Sequence, residues 1–145
     1  MSVPTVKLPV TIIVGATGVG KTAFALNLAE QINAEIVSAD SRTLYRGMDI
    51  GTAKATKEEQ QRIRHHLIDV ADPDESWSLA IYQQKCLETV TEILARGKNV
   101  LIVGGTGQYI RALLQGWSPP KLQPHPQMRE VLEQIGHENG KYELY

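Results

Sequence analysis

The 145-residue sequence has one cysteine, no long apolar run and almost no net charge. The single cysteine, Cys86, excludes an internal disulfide framework and a metal site built from several cysteines, and it suits a reducing, cytoplasmic compartment. No apolar stretch approaches the roughly 20 residues that a transmembrane helix needs, so no membrane partner is expected. The first residues also lack the charged-then-apolar pattern of a signal peptide.

Positive and negative side chains are nearly equal in number. Fifteen Lys and Arg against sixteen Asp and Glu give a net charge of −1 at pH 7. Such a balance does not favour non-specific binding of nucleic acid, although it leaves room for a local basic groove. Hydrophobic residues make up 42% of the chain, which is enough to form a core. The length predicts about one globular domain.

Short apolar runs alternate with helical patterns along the first 115 residues. The predicted strands are 10–14, 34–38 and 100–103, and the predicted helices are 22–32, 78–96 and 108–114. A polar block at 57–64 is compatible with a short solvated helix. Because a strand, a helix and a second strand follow within about thirty residues, the pattern indicates a βαβ unit. The sequence therefore predicts an α/β fold, a parallel sheet with flanking helices, whose first strand is buried on both faces.

Helical spacing also predicts which side chains face the core. In the first helix the apolar stripe is Phe24, Ala25, Leu28, Ala29 and Ile32. In the second long helix it is Leu79, Tyr82, Cys86, Leu87, Val90, Ile93 and Leu94. Cys86 is thus expected to be a buried, unreactive thiol.

Residues 118–126 contain four prolines and predict a linker. We therefore expect an α/β core over residues 1–117 and a second, helical unit that begins at residue 127. Residues 127–145 carry one amphipathic pattern. Since nineteen residues cannot make a domain, the chain is expected to stop within that unit and before the rest of the core.

A phosphate-binding motif joins the first strand to the first helix. Residues 15–22 match G-x-x-x-x-G-K-[ST] at every fixed position. The glycines let successive N–H groups point at one anion, and the helix N-terminus adds partial positive charge. Lys21 supplies a mobile charge for a phosphate, and Thr22 supplies a hydroxyl ligand for Mg²⁺. The predicted phosphate-binding residues are Gly15, Ala16, Thr17, Gly18, Val19, Gly20, Lys21 and Thr22.

The motif does not identify the phosphate, because ATP or another Mg²⁺-bound diphosphate would satisfy the same groups. A nucleotide hydrolase or kinase usually has a strand that ends in a carboxylate to help hold the metal. Here strand 100–103 ends in Gly-Gly-Thr, and the available acid is Asp40, after strand 34–38. Asp40 is a candidate for holding Mg²⁺ through water or for accepting a proton from a nucleophile. The alternative is that it caps the next turn.

Several blocks of sequence together resemble the tRNA dimethylallyltransferases, also called tRNA isopentenyltransferases. The blocks are VSADSR at 37–42, LYRGMDIGTAK at 44–54, HHLID at 65–69, DP at 72–73 and VGGTG at 103–107. The resemblance runs from about residue 10 to residue 114 and continues weakly to Arg129. It implies a P-loop NTPase-like core that carries a helical tRNA-binding insert.

The resemblance also implies a reaction. A dimethylallyl group passes from dimethylallyl diphosphate to N6 of the adenine 3′ of the anticodon in tRNA, and diphosphate is released. The P-loop would then hold the diphosphate of the prenyl donor, with Mg²⁺ as the cofactor. Asp40 aligns with the family's general base, and Thr106 aligns with a threonine at the transfer site. The implied tRNA-binding residues are Asp40, Ser41, Arg42, Thr43, Thr106 and Arg129.

Thr43 departs from the family pattern, because it replaces a glutamine that helps to read the target base. Its short hydroxyl cannot make the bidentate contact of an amide. Two other functions stay open on the sequence: a small ATP-dependent metabolite kinase, and a fragment that is inactive without the remaining core. The expected partners are the tRNA anticodon loop and the prenyl donor, and a monomer is expected.

Two further features have structural explanations. His65, His66 and Asp69 resemble a metal cluster, but adjacent histidines point in different directions, and packing explains them better. Tyr109 follows Thr106 closely and either lines the substrate channel or packs in the core.

Overall fold

A computed structural model of the protein describes residues 8–51, 53–116, 127, 130–131 and 133–134. Its elements are β1 (Thr11–Val14), α1 (Lys21–Ile32), β2 (Ala34–Ser38), α2 (Lys57–Arg62), β3 (His65–His66), α3 (Leu79–Ala95), β4 (Asn99–Gly104) and α4 (Gly107–Gln115). The predicted α/β fold with flanking helices is confirmed. The two-residue strand β3 was not predicted, because it is too short to show a period.

The four strands form one parallel sheet in the order β1-β4-β2-β3. In this order β4, the last strand along the part of the chain that the structure describes, lies between β1 and β2. Parallel strands end at the same edge, so the loops after β1, β2 and β4 meet there. The fold thus brings the P-loop, Asp40 and the VGGTG block to one edge of the sheet, where α/β proteins commonly bind ligands.

The core has a layer on each face of the sheet. On one face α1 packs over β2 and β4, with a buried cluster of Ala25, Leu26, Ala29, Ala34, Ile36 and Leu101. On the other face α3 and α4 pack over the same strands, and the cluster includes Val37, Tyr82, Cys86, Val90, Ile93, Val100, Ile102, Tyr109 and Ile110. Neighbouring strand residues alternate between the two clusters, as the period of a strand requires.

The helix ends follow from local chemistry. The Ser78 hydroxyl accepts a hydrogen bond from the Ile81 amide at 3.2 Å and caps α3, and Gly97 just beyond that helix has φ 72°. Helix α2 ends at Arg62 rather than at residue 64, because Ile63 is extended and leads into β3.

Two side chains predicted to face the core are largely exposed. Phe24 on α1 is 60% exposed, and the buried face consists of Ala25, Leu26 and Ala29. Leu87 on α3 is 45% exposed, although its neighbour Cys86 is fully buried. Both predictions are wrong for the same reason: each residue lies about 100° around the helix from a residue that contacts the sheet, at the margin of the apolar stripe.

Strand β1 is less buried than predicted. It pairs with β4 on one side, and no other strand among the described residues pairs with it. Val14 is 58% exposed, so the prediction that this strand is buried on both faces is wrong. An edge position leaves its side chains fewer neighbours than a central strand has.

The structure describes few residues beyond residue 116. Residues 127, 130, 131, 133 and 134 are helical and exposed. The predicted linker at 118–126 and Arg129 lie outside the described residues, and the division into units at 117 and 127 stays a prediction. None of the helices in the described ranges combines the length and apolar character needed to cross a bilayer.

Candidate functional site

The P-loop connects the end of β1 to the start of α1. Gly18 has φ 84° and Gly20 has φ 87°, a left-handed conformation that favours glycine. Gly20 is also the N-cap of α1 and has no side chain to bond the first helical amides. The start of α1 therefore presents N–H groups without a side-chain cap, as an anion-binding helix terminus requires.

Lys21 crosses this loop. Its Nζ donates to the Ala16 carbonyl oxygen at 2.5 Å, so the ammonium group lies at the turn. Thr22 follows it in α1, and both residues line a cavity described below. A mobile cation and a hydroxyl are thus both available to a phosphate group held by the loop.

The backbone around Asp40 is bound on both sides by the VGGTG block. The Ala39 amide donates to the Val103 carbonyl at 2.8 Å, and the Ala39 carbonyl accepts from the Thr106 amide at 3.1 Å. The Thr106 hydroxyl accepts from the Ser41 amide at 2.9 Å. Thr106 thereby holds the residue before Asp40 and the residue after it, and the structure brings these two predicted site residues together.

A glycine makes this arrangement possible. A Cβ placed on Gly104 would lie 2.3 Å from the carbonyl carbon and oxygen of Ala39 and 2.8 Å from its Cα. Such distances are far inside van der Waals contact, so a larger residue cannot occupy the end of β4 without moving the Asp40 backbone. The close approach of the two strand ends therefore requires glycine at this position.

Asp40 also stabilises its own turn. Its Oδ1 accepts the Arg42 amide hydrogen at 2.9 Å, the bond of an Asx turn. The turn-capping alternative is thus a real property of this residue. Asp40 also lines the two cavities described below.

Thr43 is a buried residue whose side chain contacts the turn that carries Asp40. Only 4% exposed, it lies with its Oγ1 2.8 Å from the Ser38 hydroxyl, and it donates to the Asp40 carbonyl at 3.1 Å. This hydroxyl is engaged with the turn that carries Asp40. Thr43 therefore supports the Asp40 backbone, whatever else it contacts.

Two cavities meet at Asp40 and Thr17. The first, here called the P-loop cavity, has a volume of about 380 Å³ and contains Lys21 and Thr22. The second, here called the polar cavity, has a volume of about 350 Å³. It is lined by Gly15, Ala16, Thr17, Asp40, Ser41, Arg42, Gly51, Gly105 and Thr106. Each has the size of a small-molecule site, and Asp40 stands at the boundary between them.

Comparison with known proteins identifies the family. Residues 43–145 match the family model described as IPP transferase. The chain belongs to the IPP transferase family. It is 53% identical over 138 residues to a tRNA dimethylallyltransferase of Roseiflexus sp. (strain RS-1), covering 95% of this chain and 45% of that protein. A tRNA dimethylallyltransferase of Thermosynechococcus vestitus is 51% identical over 127 residues, covering 88% of this chain and 41% of the relative.

Solved structures agree with this assignment. The full-length tRNA isopentenylpyrophosphate transferase of Bacillus halodurans matches with a TM-score of 0.76 and 43% identity, covering 90% of this chain and 43% of that one. A eukaryotic dimethylallyltransferase acting on tRNA matches with a TM-score of 0.74 and 30% identity, covering 86% of this chain and 32% of that one. This IPP transferase chain spans about 45% of the length of its first curated relatives.

The P-loop cavity of this family member has further walls, whose residues were not predicted as site residues from the sequence. Beyond the P-loop, its lining includes Ala53, Ala55, Glu59, His65, Ile68 and Val103. Burial lowers the pKa of His65, although the bond between its Nδ1 and the Ile63 carbonyl, at 2.7 Å, opposes the shift. His65 thus adds a neutral ring to the wall near neutral pH. The HHLID block signalled this region, but only the packing of β3 beside β2 carries it to the cavity.

Other conspicuous residues are structural in this IPP transferase chain. His66 Nε2 lies 2.6 Å from a Glu35 carboxylate oxygen that also binds Arg96. The described residues contain no group of three or more His, Cys, Asp and Glu side chains that could hold a metal ion. Cys86 is buried as predicted, and burial raises the pKa of its thiol to about 11.

Tyr109 packs in the core and is not among the residues that line the two cavities. It is 6% exposed, and its ring stacks on Tyr82 with centroids 3.8 Å apart. The Tyr82 hydroxyl in turn donates to the Ser38 carbonyl at 3.0 Å. The pair connects α3 and α4 to the end of β2 and so supports the strand end that leads to Asp40.

Proposed function

We propose that this chain carries the donor-binding and base-bearing part of a tRNA dimethylallyltransferase. The observation that supports this best is the position of Asp40, between a cavity that contains the P-loop and a separate polar cavity. Two substrates that must meet at one base need such an arrangement. The names of the relatives agree with this activity.

In the proposed reaction the exocyclic amine N6 of adenine attacks C1 of the dimethylallyl group. A C–N bond forms while the C1–O bond breaks, and the electron pair of that bond leaves with the diphosphate. The N6 proton passes to the Asp40 carboxylate. General-base assistance of this kind contributes about 10²–10⁴-fold in rate. Lys21 and the amides of the P-loop stabilise the charge that develops on the diphosphate.

Mg²⁺ fits the proposed donor site. The Thr22 hydroxyl lines the same cavity as Lys21 and offers an oxygen ligand of the kind that this ion prefers. A single protein ligand suits an ion that keeps several waters and binds substrate phosphates. Bound there, Mg²⁺ would neutralise charge on the departing diphosphate. ATP at this loop is not favoured, since β4 ends in Gly104 and the next residues are Gly105 and Thr106, with no carboxylate.

We assign the tRNA adenine to the polar cavity. A base stacked in an anticodon loop must be extruded to reach an enclosed site, and unpaired loops are where proteins usually read RNA. Arg42 is exposed at this cavity and offers a cation for the RNA backbone, and Ser41 and Thr106 lie beside it. Thr43 acts through the Asp40 turn in this proposal. A contact from Arg129 stays a prediction.

We also propose a cellular compartment and an oligomeric state. We propose a cytoplasmic enzyme, where a reducing environment keeps the buried Cys86 a thiol. One copy supplies the P-loop, Asp40 and Thr106, so we propose a monomer.

Thermal melting in the presence of ligands tests the donor site. Dimethylallyl diphosphate with Mg²⁺ at 100 times its Kd should add about 2.7 kcal/mol to the free energy of unfolding, and ATP should add little. Lys21→Met should remove most of this protection, while Lys85→Met, which changes an exposed lysine paired with Glu88, should keep it. Protection by ATP alone would favour the metabolite kinase instead. Protection by neither ligand would favour an inactive fragment.

Transfer of labelled donor to unmodified tRNA tests the base. Asp40→Asn keeps an oxygen for the Arg42 amide and so preserves the turn, but it cannot accept the proton. We expect transfer to fall about 10²-fold or more while the donor still protects against melting. Unchanged turnover by this variant would remove Asp40 from the mechanism.

A further inference from the structure

The loop between β2 and α2 is closed by one buried ammonium group. The Lys54 side chain is only 5% exposed. Its Nζ donates to the Tyr45 carbonyl at 2.9 Å, to Asp49 Oδ1 at 2.7 Å and to Asp69 Oδ1 at 2.5 Å. These bonds use all three donors of the group. We call this set of contacts the Lys54 clasp.

The Lys54 clasp joins three parts of the chain, and it adds to the backbone hydrogen bonds that connect residues 43–46 with residues 69–71. Tyr45 and Lys54 lie within the loop, nine residues apart, and Asp69 follows β3. Burial lowers the pKa of Lys54, but the bonds to Asp49 and Asp69 outweigh that effect and raise it, so the group stays charged near neutral pH. The loop is thus tied at its base by a charged group with little access to water.

Two residues in or beside the Lys54 clasp have a strained backbone conformation. Ala53 has φ 50° and Asp69 has φ 53°, in the left-handed region that residues with a side chain rarely adopt. Such conformations persist only where surrounding contacts maintain them. Ala53 lies directly beside the clasp and Asp69 belongs to it, and the Asp69 amide also donates to the Thr43 carbonyl at 3.1 Å. The clasp is therefore one of the contacts that maintain this local geometry.

The neighbours of the clasp form cavity walls. Ala53 and Ala55 flank Lys54, Ile68 precedes Asp69, and all three line the P-loop cavity. Their side chains are apolar, in contrast to the glycines, Lys21 and Thr22 on the P-loop. We call Ala53, Ala55 and Ile68 the apolar wall. The cavity therefore combines a group of phosphate-binding residues with a small hydrocarbon surface.

We propose that Lys54 is a positioning residue, whose clasp holds the apolar wall against the hydrocarbon tail of a prenyl diphosphate bound at the P-loop. This inference rests on the proposed function. It assigns the hydrocarbon tail to the apolar wall beside the clasp and leaves the diphosphate at the P-loop. Loss of the clasp should therefore change the recognition of the tail and leave diphosphate binding in place.

Two ligands with the same charged group separate these effects. Dimethylallyl diphosphate and methyl diphosphate differ by four carbons, and their dissociation constants with Mg²⁺ are measured by calorimetry. The unsubstituted protein should prefer the longer ligand about tenfold or more, because burial of each carbon is favourable. Lys54→Met keeps the apolar stem and removes the donors. It should weaken dimethylallyl diphosphate about tenfold and methyl diphosphate less than about twofold.

Matched variants complete the test. Asp69→Asn keeps the shape of a clasp partner and should shift the same preference by a smaller factor, and it carries the test if Lys54→Met does not fold. Lys85→Met should leave both affinities unchanged. Equal weakening of both ligands, or of neither, in the two clasp variants would overturn the proposal. A native protein that does not distinguish the two ligands would instead contradict the proposed function.

Discussion

Replacement of Gly104 by alanine should displace the turn that carries Asp40. The added Cβ would lie 2.3 Å from the carbonyl carbon and oxygen of Ala39, where ordinary contact begins near 3.4 Å. One of the two backbones must therefore move by about 1 Å. The Ala39 amide and carbonyl each hold a hydrogen bond, at 2.8 and 3.1 Å, to Val103 and Thr106, so neither can move freely.

The expected cost follows from these contacts. Overpacking of a well-packed site costs about 1–3 kcal/mol. Weakening of two backbone hydrogen bonds adds about 1 kcal/mol each. We therefore expect Gly104→Ala to lower the free energy of unfolding by about 3–5 kcal/mol, which corresponds to about 10–20 °C in the midpoint of thermal unfolding for a chain of this size. Because a misplacement of about 1 Å at a reacting group can cost about 10²-fold, transfer activity should fall as well.

Circular dichroism during thermal and urea unfolding measures this effect, and Gly107→Ala is the matched control. Gly107 is the first residue of α4, and a Cβ built there meets no atom within 4 Å. Alanine should be neutral or stabilising at that position, because it loses less backbone entropy than glycine on folding. If Gly104→Ala unfolds at the same midpoint as the unsubstituted protein, the argument from close approach is wrong.

Three further predictions concern the supports of the site. Tyr82→Phe removes the donor to the buried Ser38 carbonyl and should cost about 1–2 kcal/mol in urea unfolding; no loss would show that the carbonyl does not need it. Thr43→Val should destabilise by about 1–2 kcal/mol and slow transfer, whereas Thr43→Ser should do neither; equal behaviour of the two would contradict a role for the hydroxyl. Burial raises the pKa of Glu35, but hydrogen bonds from His66 and Arg96 outweigh this effect and lower it. The Glu35 carboxylate therefore stabilises the folded protein above pH 4.5, and this contribution is lost as the pH falls below that value. The difference in melting midpoint between the native protein and Glu35→Gln should therefore shrink from about pH 6 to about pH 3, and a constant difference would refute this.

Local patterns predicted most of the secondary structure. Strand β2 spans residues 34–38 as predicted, and α3 lies within the predicted 78–96 with its caps at Ser78 and Arg96. These elements were predictable because apolar period and capping chemistry act within a few residues of one another. The exposure of Phe24 and Val14 was not predictable, since it depends on which strands and helices lie beside α1 and β1.

The candidate site also has a part that local sequence predicts and a part that depends on the tertiary fold. The sequence by itself predicted a phosphate-binding loop, because its glycines, Lys21 and Thr22 are contiguous and their chemistry is local. It also pointed to Asp40, as the acid that follows strand 34–38, and to Thr106 through resemblance to a family. The bond between Ser41 and Thr106 joins residues 65 positions apart, and it exists because β4 lies between β1 and β2. Tertiary structure alone decided that Asp40 borders two cavities, that Thr43 is buried and that Lys54 bonds Asp69, because each depends on contacts between segments that no local pattern brings together.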